Sequence, residues 1–155
     1  MLEIGRQKVA LDVQRTRLFY RGAPTVSETC SCSGCRNFER AVETLPDAVR
    51  GFFETLGVEM KKVCEAYVIG ARPDGALYYG GFYHLCGTLQ PDDVLGAVAD
   101  AGRSPLVLAK GFHVFLKETC DLLEEDFPTP AVQLEFVGEL PWVLSEQNGY
   151  LTQLL

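Results

Sequence analysis

The order of apolar and polar positions divides the chain into short strand-like and helix-like stretches. Near the N-terminus Val9, Leu11 and Val13 alternate with polar neighbours, and Arg17-Leu18-Phe19-Tyr20 is a second β-prone run, so residues 2–21 read as extended. Gly22-Ala23-Pro24 breaks that pattern, and the Ser-, Thr-, Cys- and Gly-rich stretch up to Cys35 reads as a loop. After Cys35 the period changes: Phe38, Ala41, Val42 and Leu45 occupy one helical face. Val49, Phe52, Phe53 and Leu56 repeat the spacing in a second helix. Its start is marked by Thr44-Leu45-Pro46-Asp47, with Thr44 as cap, and its stop by Gly57.

Residues 64–88 carry the clearest hairpin pattern. Glu65–Ala71 leads into Arg72-Pro73-Asp74-Gly75, where proline presets φ and glycine supplies the positive φ of a turn. The return strand places Tyr78, Gly80, Phe82, His84 and Cys86 on one face, and Leu77, Tyr79, Gly81, Tyr83 and Leu85 on the other. Gly80-Gly81 inside it indicates a bulge or a close backbone approach. A third helix is expected from Pro91 through Ala101. Strands are expected at Leu106–Ala109 and Phe112–Lys117 about Lys110-Gly111, and a half-buried strand through Val132, Leu134 and Phe136. Asp121 to Asp126 reads as a solvated acidic turn, and Trp142 as the anchor of a tail that frays over 144–155.

Hairpin-ordered strands with helices clustered between them predict an α+β fold. The expected architecture is an antiparallel sheet of about six or seven strands with two or three short helices on one side. A β-sandwich with a helical insertion is the alternative. The 155 residues fit a single domain with its own core.

Composition adds two constraints. No apolar run approaches the roughly 20 residues that span a bilayer, and Met-Leu-Glu-Ile-Gly-Arg-Gln-Lys has no signal-like apolar segment, so no membrane association and a cytoplasmic location are expected. The net charge of −7 is unevenly spread: residues 1–72 hold 11 Lys/Arg and 9 Asp/Glu, whereas 73–155 hold 3 and 12. An acidic surface opposes nucleic-acid binding, which needs cations against phosphate, and suits either solubility or a basic protein partner.

The candidate chemistry lies in Cys30-Ser31-Cys32-Ser33-Gly34-Cys35, which packs three of six cysteines into six residues. In a reducing compartment such thiols act as metal ligands or redox groups rather than disulfides. Three soft ligands on a Ser/Gly loop fit zinc, with sulfur about 2.3 Å from the ion. Without a second C-x-x-C, a fourth ligand must come from elsewhere. Of the two histidines, His84 and His113, His84 shares a strand face with Cys86, about 7 Å along the chain. The expected site is therefore Cys30, Cys32, Cys35 and His84, with Cys86 as the substitute for His84. Closed by protein ligands, such a site is structural. With an open position it becomes hydrolytic, although the H-x-E and P-C-x-x-C pattern of a zinc deaminase is missing. The alternative is a thiol redox sensor in which Cys35, at a helix start beside Arg36, is the thiolate and Cys30 or Cys32 resolves its oxidised form. Cys64 and Cys120 read as small buried residues.

Cys30-Ser31-Cys32-Ser33-Gly34-Cys35-Arg36-Asn37-Phe38 resembles the C-x-C-x-x-C-R-N-[FY] signature of a family of small bacterial proteins with no established activity. Tyr79-Gly80-Gly81-Phe82-Tyr83-His84 is also similar, as is Leu134-Glu135-Phe136 leading to Leu140-Pro141-Trp142-Val143-Leu144. Ser33-Gly34 departs from the family's usual pair. The resemblance implies one compact domain and an important cysteine loop, without a mechanism. Together these readings point to a non-enzymatic zinc-binding domain acting by protein contact, of the immunity or accessory kind. A redox sensor or a zinc hydrolase is the alternative.

Overall fold

The computed structural model describes residues 1–90 and 105–154; the expected helix at Pro91–Ala101 lies outside them. Among the described residues, seven antiparallel strands accompany four short helices, an α+β fold. The strands are β1 (Leu2–Ile4), β2 (Gln7–Leu11), β3 (Glu65–Ala71), β4 (Leu77–Leu89), β5 (Leu106–Ala109), β6 (Phe112–Lys117) and β7 (Ala131–Leu140). The helices are α1 (Val13–Gly22), α2 (Val26–Thr29), α3 (Ser33–Ala41) and α4 (Asp47–Thr55). All seven strands belong to one sheet, in the order β1-β2-β4-β7-β6-β5 with β3 also paired to β4. The expected sandwich of two stacked sheets is therefore absent among the described residues.

Strand alternation decides which side chains meet the helices. On one face lie Leu77, Tyr79, Tyr83 and Leu85 of β4, Leu134, Phe136 and Leu140 of β7, and Phe112, Val114 and Leu116 of β6, all buried. Phe38 of α3 stacks on Phe136 and meets Tyr79 edge-on, with centroids 5.7 and 5.3 Å apart; Phe53 of α4 lies 5.1 Å from Tyr83. Gly81 marks the close approach expected of the Gly-Gly pair, since a Cβ there would sit 2.2 Å from the carbonyl oxygen of Glu65. The bulge lies instead in β3, between Val68 and Gly70.

The expected extended structure across Val13 and Arg17–Tyr20 is corrected: these residues form α1. Asp12 caps it by accepting from the Arg15 N–H at 3.1 Å. Its buried side chains, Thr16 and Tyr20, then act as surrogate strand. Residues 83–86 of β4 have no strand partner on the side between β3 and β2. There the Tyr20 hydroxyl donates to the His84 carbonyl at 2.8 Å and accepts from its N–H at 3.0 Å. Thr16 Oγ1 accepts from the Cys86 N–H at 3.0 Å, and the Asp12 N–H donates to the Cys86 carbonyl at 2.8 Å. These tertiary bonds outweigh the local β-propensity of the run. Tyr20→Phe is expected to lose about 2 kcal/mol by leaving a buried N–H and carbonyl unpaired. Urea unfolding measures it, and an unchanged midpoint would refute the surrogate role.

Three further expectations are corrected. The stretch read as loop up to Cys35 contains α2 and the start of α3, because Thr25 and Glu28 form a capping box that opens a turn. Thr44 does not cap α4; its hydroxyl bonds back to the Ala41 carbonyl at 2.7 Å, and Pro46 takes the cap position. The tail after β7 is held rather than frayed: Ala71 N–H bonds the Gln153 carbonyl at 2.9 Å, and Asn148 donates to the Gly75 carbonyl at 2.9 Å. The Trp142 indole N–H donates to the Glu146 carbonyl at 2.9 Å.

Candidate metal centre

The cysteine loop is shaped by two helix ends. Cys30 caps the end of α2 in an extended conformation, its N–H bonded to the Val26 carbonyl. Cys32 is the N-cap of α3, its sulfur accepting from the Cys35 N–H at 3.4 Å, and Cys35 lies in the first turn. Ser27 fixes the two helices together by donating to the Glu39 carboxylate at 2.8 Å. The three sulfurs consequently lie within 4.8 Å of one another, with Cys30 and Cys32 only 3.3 Å apart. A tetrahedral zinc–thiolate centre needs sulfurs about 3.8 Å apart. Small side-chain rotations meet that requirement.

The three thiols differ electrostatically. Hydrogen bonding with the Cys32 backbone, then with the Cys35 and Cys32 side chains, holds the Cys30 pKa below the usual thiol value. Burial, followed by hydrogen bonding to Cys30 and Cys32, pushes Cys35 well above it. The expectation of a readily ionised Cys35 is thus corrected: burial in the first turn of α3 disfavours its thiolate, whereas hydrogen bonding shifts Cys30 the other way.

Residues after the cysteines tie the loop down. Arg36 donates to the Ser31 carbonyl at 3.0 Å and pairs with Glu146 through both guanidinium nitrogens. Asn37, fully buried, donates to the Tyr79 hydroxyl at 3.2 Å and the Pro141 carbonyl at 3.0 Å, and accepts from the Val143 N–H at 2.8 Å. The Tyr79 hydroxyl in turn donates to the Gly34 carbonyl at 2.7 Å. Above Gly34 lies the Tyr150 hydroxyl, 2.7 Å from where a Cβ would stand. The three stretches singled out in the sequence, about Arg36–Phe38, Tyr79 and Pro141–Val143, therefore meet in space.

The expected fourth ligand is not at this loop. Tyr79 faces α3, so the even-numbered positions His84 and Cys86 point to the opposite face of β4. His84 contacts Glu124 and Gln133, and the ligand group it joins is Cys64 and Glu124. Cys86 is buried against α1, where its N–H meets Thr16. Among the described residues, no further histidine, cysteine or carboxylate joins Cys30, Cys32 and Cys35 at ligand distance. What sequence reading missed were Cys64 and Glu124, taken as a core residue and part of a solvated acidic run. Only the fold brings them to His84.

No protein-family model, curated protein or solved structure matches the chain. Among the described residues, no helix is long and apolar enough to cross a membrane.

Proposed function

We propose that the protein is a zinc-binding domain in which Cys30, Cys32 and Cys35 hold the ion and which acts by contact with another protein rather than by catalysis. The observation that carries this reading is the convergence of three sulfurs within 4.8 Å across the junction of two helices. A thiolate set of this kind favours zinc over the oxygen-seeking magnesium and calcium. The ion's charge offsets the burial that keeps Cys35 protonated, so binding releases protons. Cys32 is the exposed member of the trio, which leaves the fourth position to water or to a side chain of the partner. The network behind the loop supports a structural role over a hydrolytic one. Glu146, the carboxylate recruited by the motif, is already engaged by Arg36 and is not a free base for a metal-bound water. The excess of 12 acidic over 3 basic residues across 73–155 supports a basic partner.

Chelator-free protein is expected to retain zinc through gel filtration and to lose it from this centre in the Cys30→Ser/Cys32→Ser variant. Stripped protein should react with iodoacetamide first at Cys30, with zinc suppressing labelling at all three positions. Absence of metal together with fast labelling of Cys30 would instead favour a thiol redox sensor, for which the lowered Cys30 pKa is the supporting observation.

A further inference from the structure

We propose that Cys64, His84 and Glu124 form a second metal site, distinct from the cysteine loop and open on one side to a surface cavity. The Cys64 sulfur, a His84 ring nitrogen and a Glu124 carboxylate oxygen lie within 4.8 Å of one another. They come from three separate places: the residue before β3, the middle of β4, and the loop between β6 and β7.

The hydrogen bonds behind His84 determine which of its nitrogens faces the site. Gln133 Oε1 accepts from the Asp121 backbone N–H at 2.7 Å, while Gln133 Nε2 donates to Asp121 Oδ2 at 3.0 Å and Glu135 Oε1 at 3.3 Å. The amide orientation is thereby fixed, and its oxygen lies 3.1 Å from His84 Nε2. An acceptor at that distance requires Nε2 to carry a proton. In the neutral ring, Nδ1 then presents a lone pair to Glu124 Oε2 at 3.4 Å, one acceptor against another in a fully buried histidine. Two acceptors at that distance call for a proton or a cation between them. A divalent ion there satisfies Nδ1, the carboxylate and the nearby sulfur together. An acceptor on the far nitrogen is the usual outer support of a ligating histidine, and the Gln133 oxygen supplies one here.

The sulfur fits the same arrangement. Cys64 is only partly exposed, and its sulfur lies within ligand distance of both partners. One sulfur, one imidazole and one carboxylate form a borderline set that suits zinc. Cys64 and Glu124 also line a cavity of about 600 Å³, together with Phe19, Lys62 and Pro128. Three protein ligands with the remaining side toward a cavity leave a position for water, the pattern of zinc centres that exchange a ligand.

The test uses cobalt(II) as the probe and the full chain carrying Cys30→Ser, Cys32→Ser and Cys35→Ser, so it does not depend on the first centre. One equivalent should bind with a thiolate-to-cobalt charge-transfer band. Adding Cys64→Ser should abolish the band, and adding Glu124→Gln should weaken binding by roughly tenfold or more. Circular dichroism checks that each variant is folded. A folded triple variant that binds no cobalt overturns the site, as does binding indifferent to both added substitutions. Should the triple variant not fold, the wild-type chain must bind two equivalents and Cys64→Ser one; equal stoichiometry for the two overturns it equally.

Discussion

Cys32→Ser is expected to lower the melting temperature of the zinc-loaded protein by about 10 °C while leaving the stripped protein almost unchanged. The first part follows from linkage: zinc at about a thousand times its dissociation constant stabilises the fold by about 4 kcal/mol. In a chain of this size each kcal/mol corresponds to roughly 2–4 °C. The second part follows from the local role of the residue. Cys32 is the N-cap of α3, and its sulfur accepts the Cys35 N–H. Serine is among the best N-caps, so the substitution preserves the helix start while removing a ligand. Thermal scans with zinc and with chelator separate the two contributions. Equal melting temperatures for both proteins in zinc would remove the structural role of the metal. An equal loss in chelator would show that the sulfur matters for packing instead.

The second large effect is expected at Asn37. Its three hydrogen bonds reach Tyr79, the Pro141 carbonyl and the Val143 N–H, and its side chain is fully enclosed. Alanine leaves the Val143 donor and the Pro141 acceptor without partners in a partly buried place. At about 1–3 kcal/mol for each stranded group, the loss is about 3 kcal/mol, with a fall of about 10 °C in melting temperature. Asn37→Asp should fall between, since it still accepts from Val143 but donates to neither partner. Urea midpoints measure the series, and Asn37→Ala as stable as the wild type would show that water replaces these bonds.

The parts of the molecule legible in the sequence are those built from neighbours. The hairpin about Arg72–Gly75 and the strand pair about Lys110-Gly111 lie where turn chemistry placed them, and Gly111 has the positive φ its turn requires. The helical spacing of Phe38 and Phe53 likewise identified the side chains that cover the sheet. The errors share a cause in long-range pairing. Leu18, Phe19 and Tyr20 look like strand, yet Tyr20 is held in a helix by a bond to residue 84. The face that carries His84 is set by the register of β4 with β7, not by distance along the strand, and it lies away from the cysteine loop. Cys64 and Glu124 had no local feature to distinguish them, since their significance depends on Gln133 fixing a histidine across the sheet. Thr25–Glu28, by contrast, was a readable capping box whose start was overlooked.

The supports of the cysteine loop also impose an order of assembly. Arg36 and Asn37 take their partners from residues 104–110 positions further on: Pro141, Val143 and Glu146. A chain made from its N-terminus exposes all three thiols long before the segment that braces them exists. Closing so long a loop is slow compared with forming α2 and α3. During translation the three thiols are therefore carried beside an unfinished sheet, without the braces that fix their spacing. Only the last strand and the turn beyond it supply those braces.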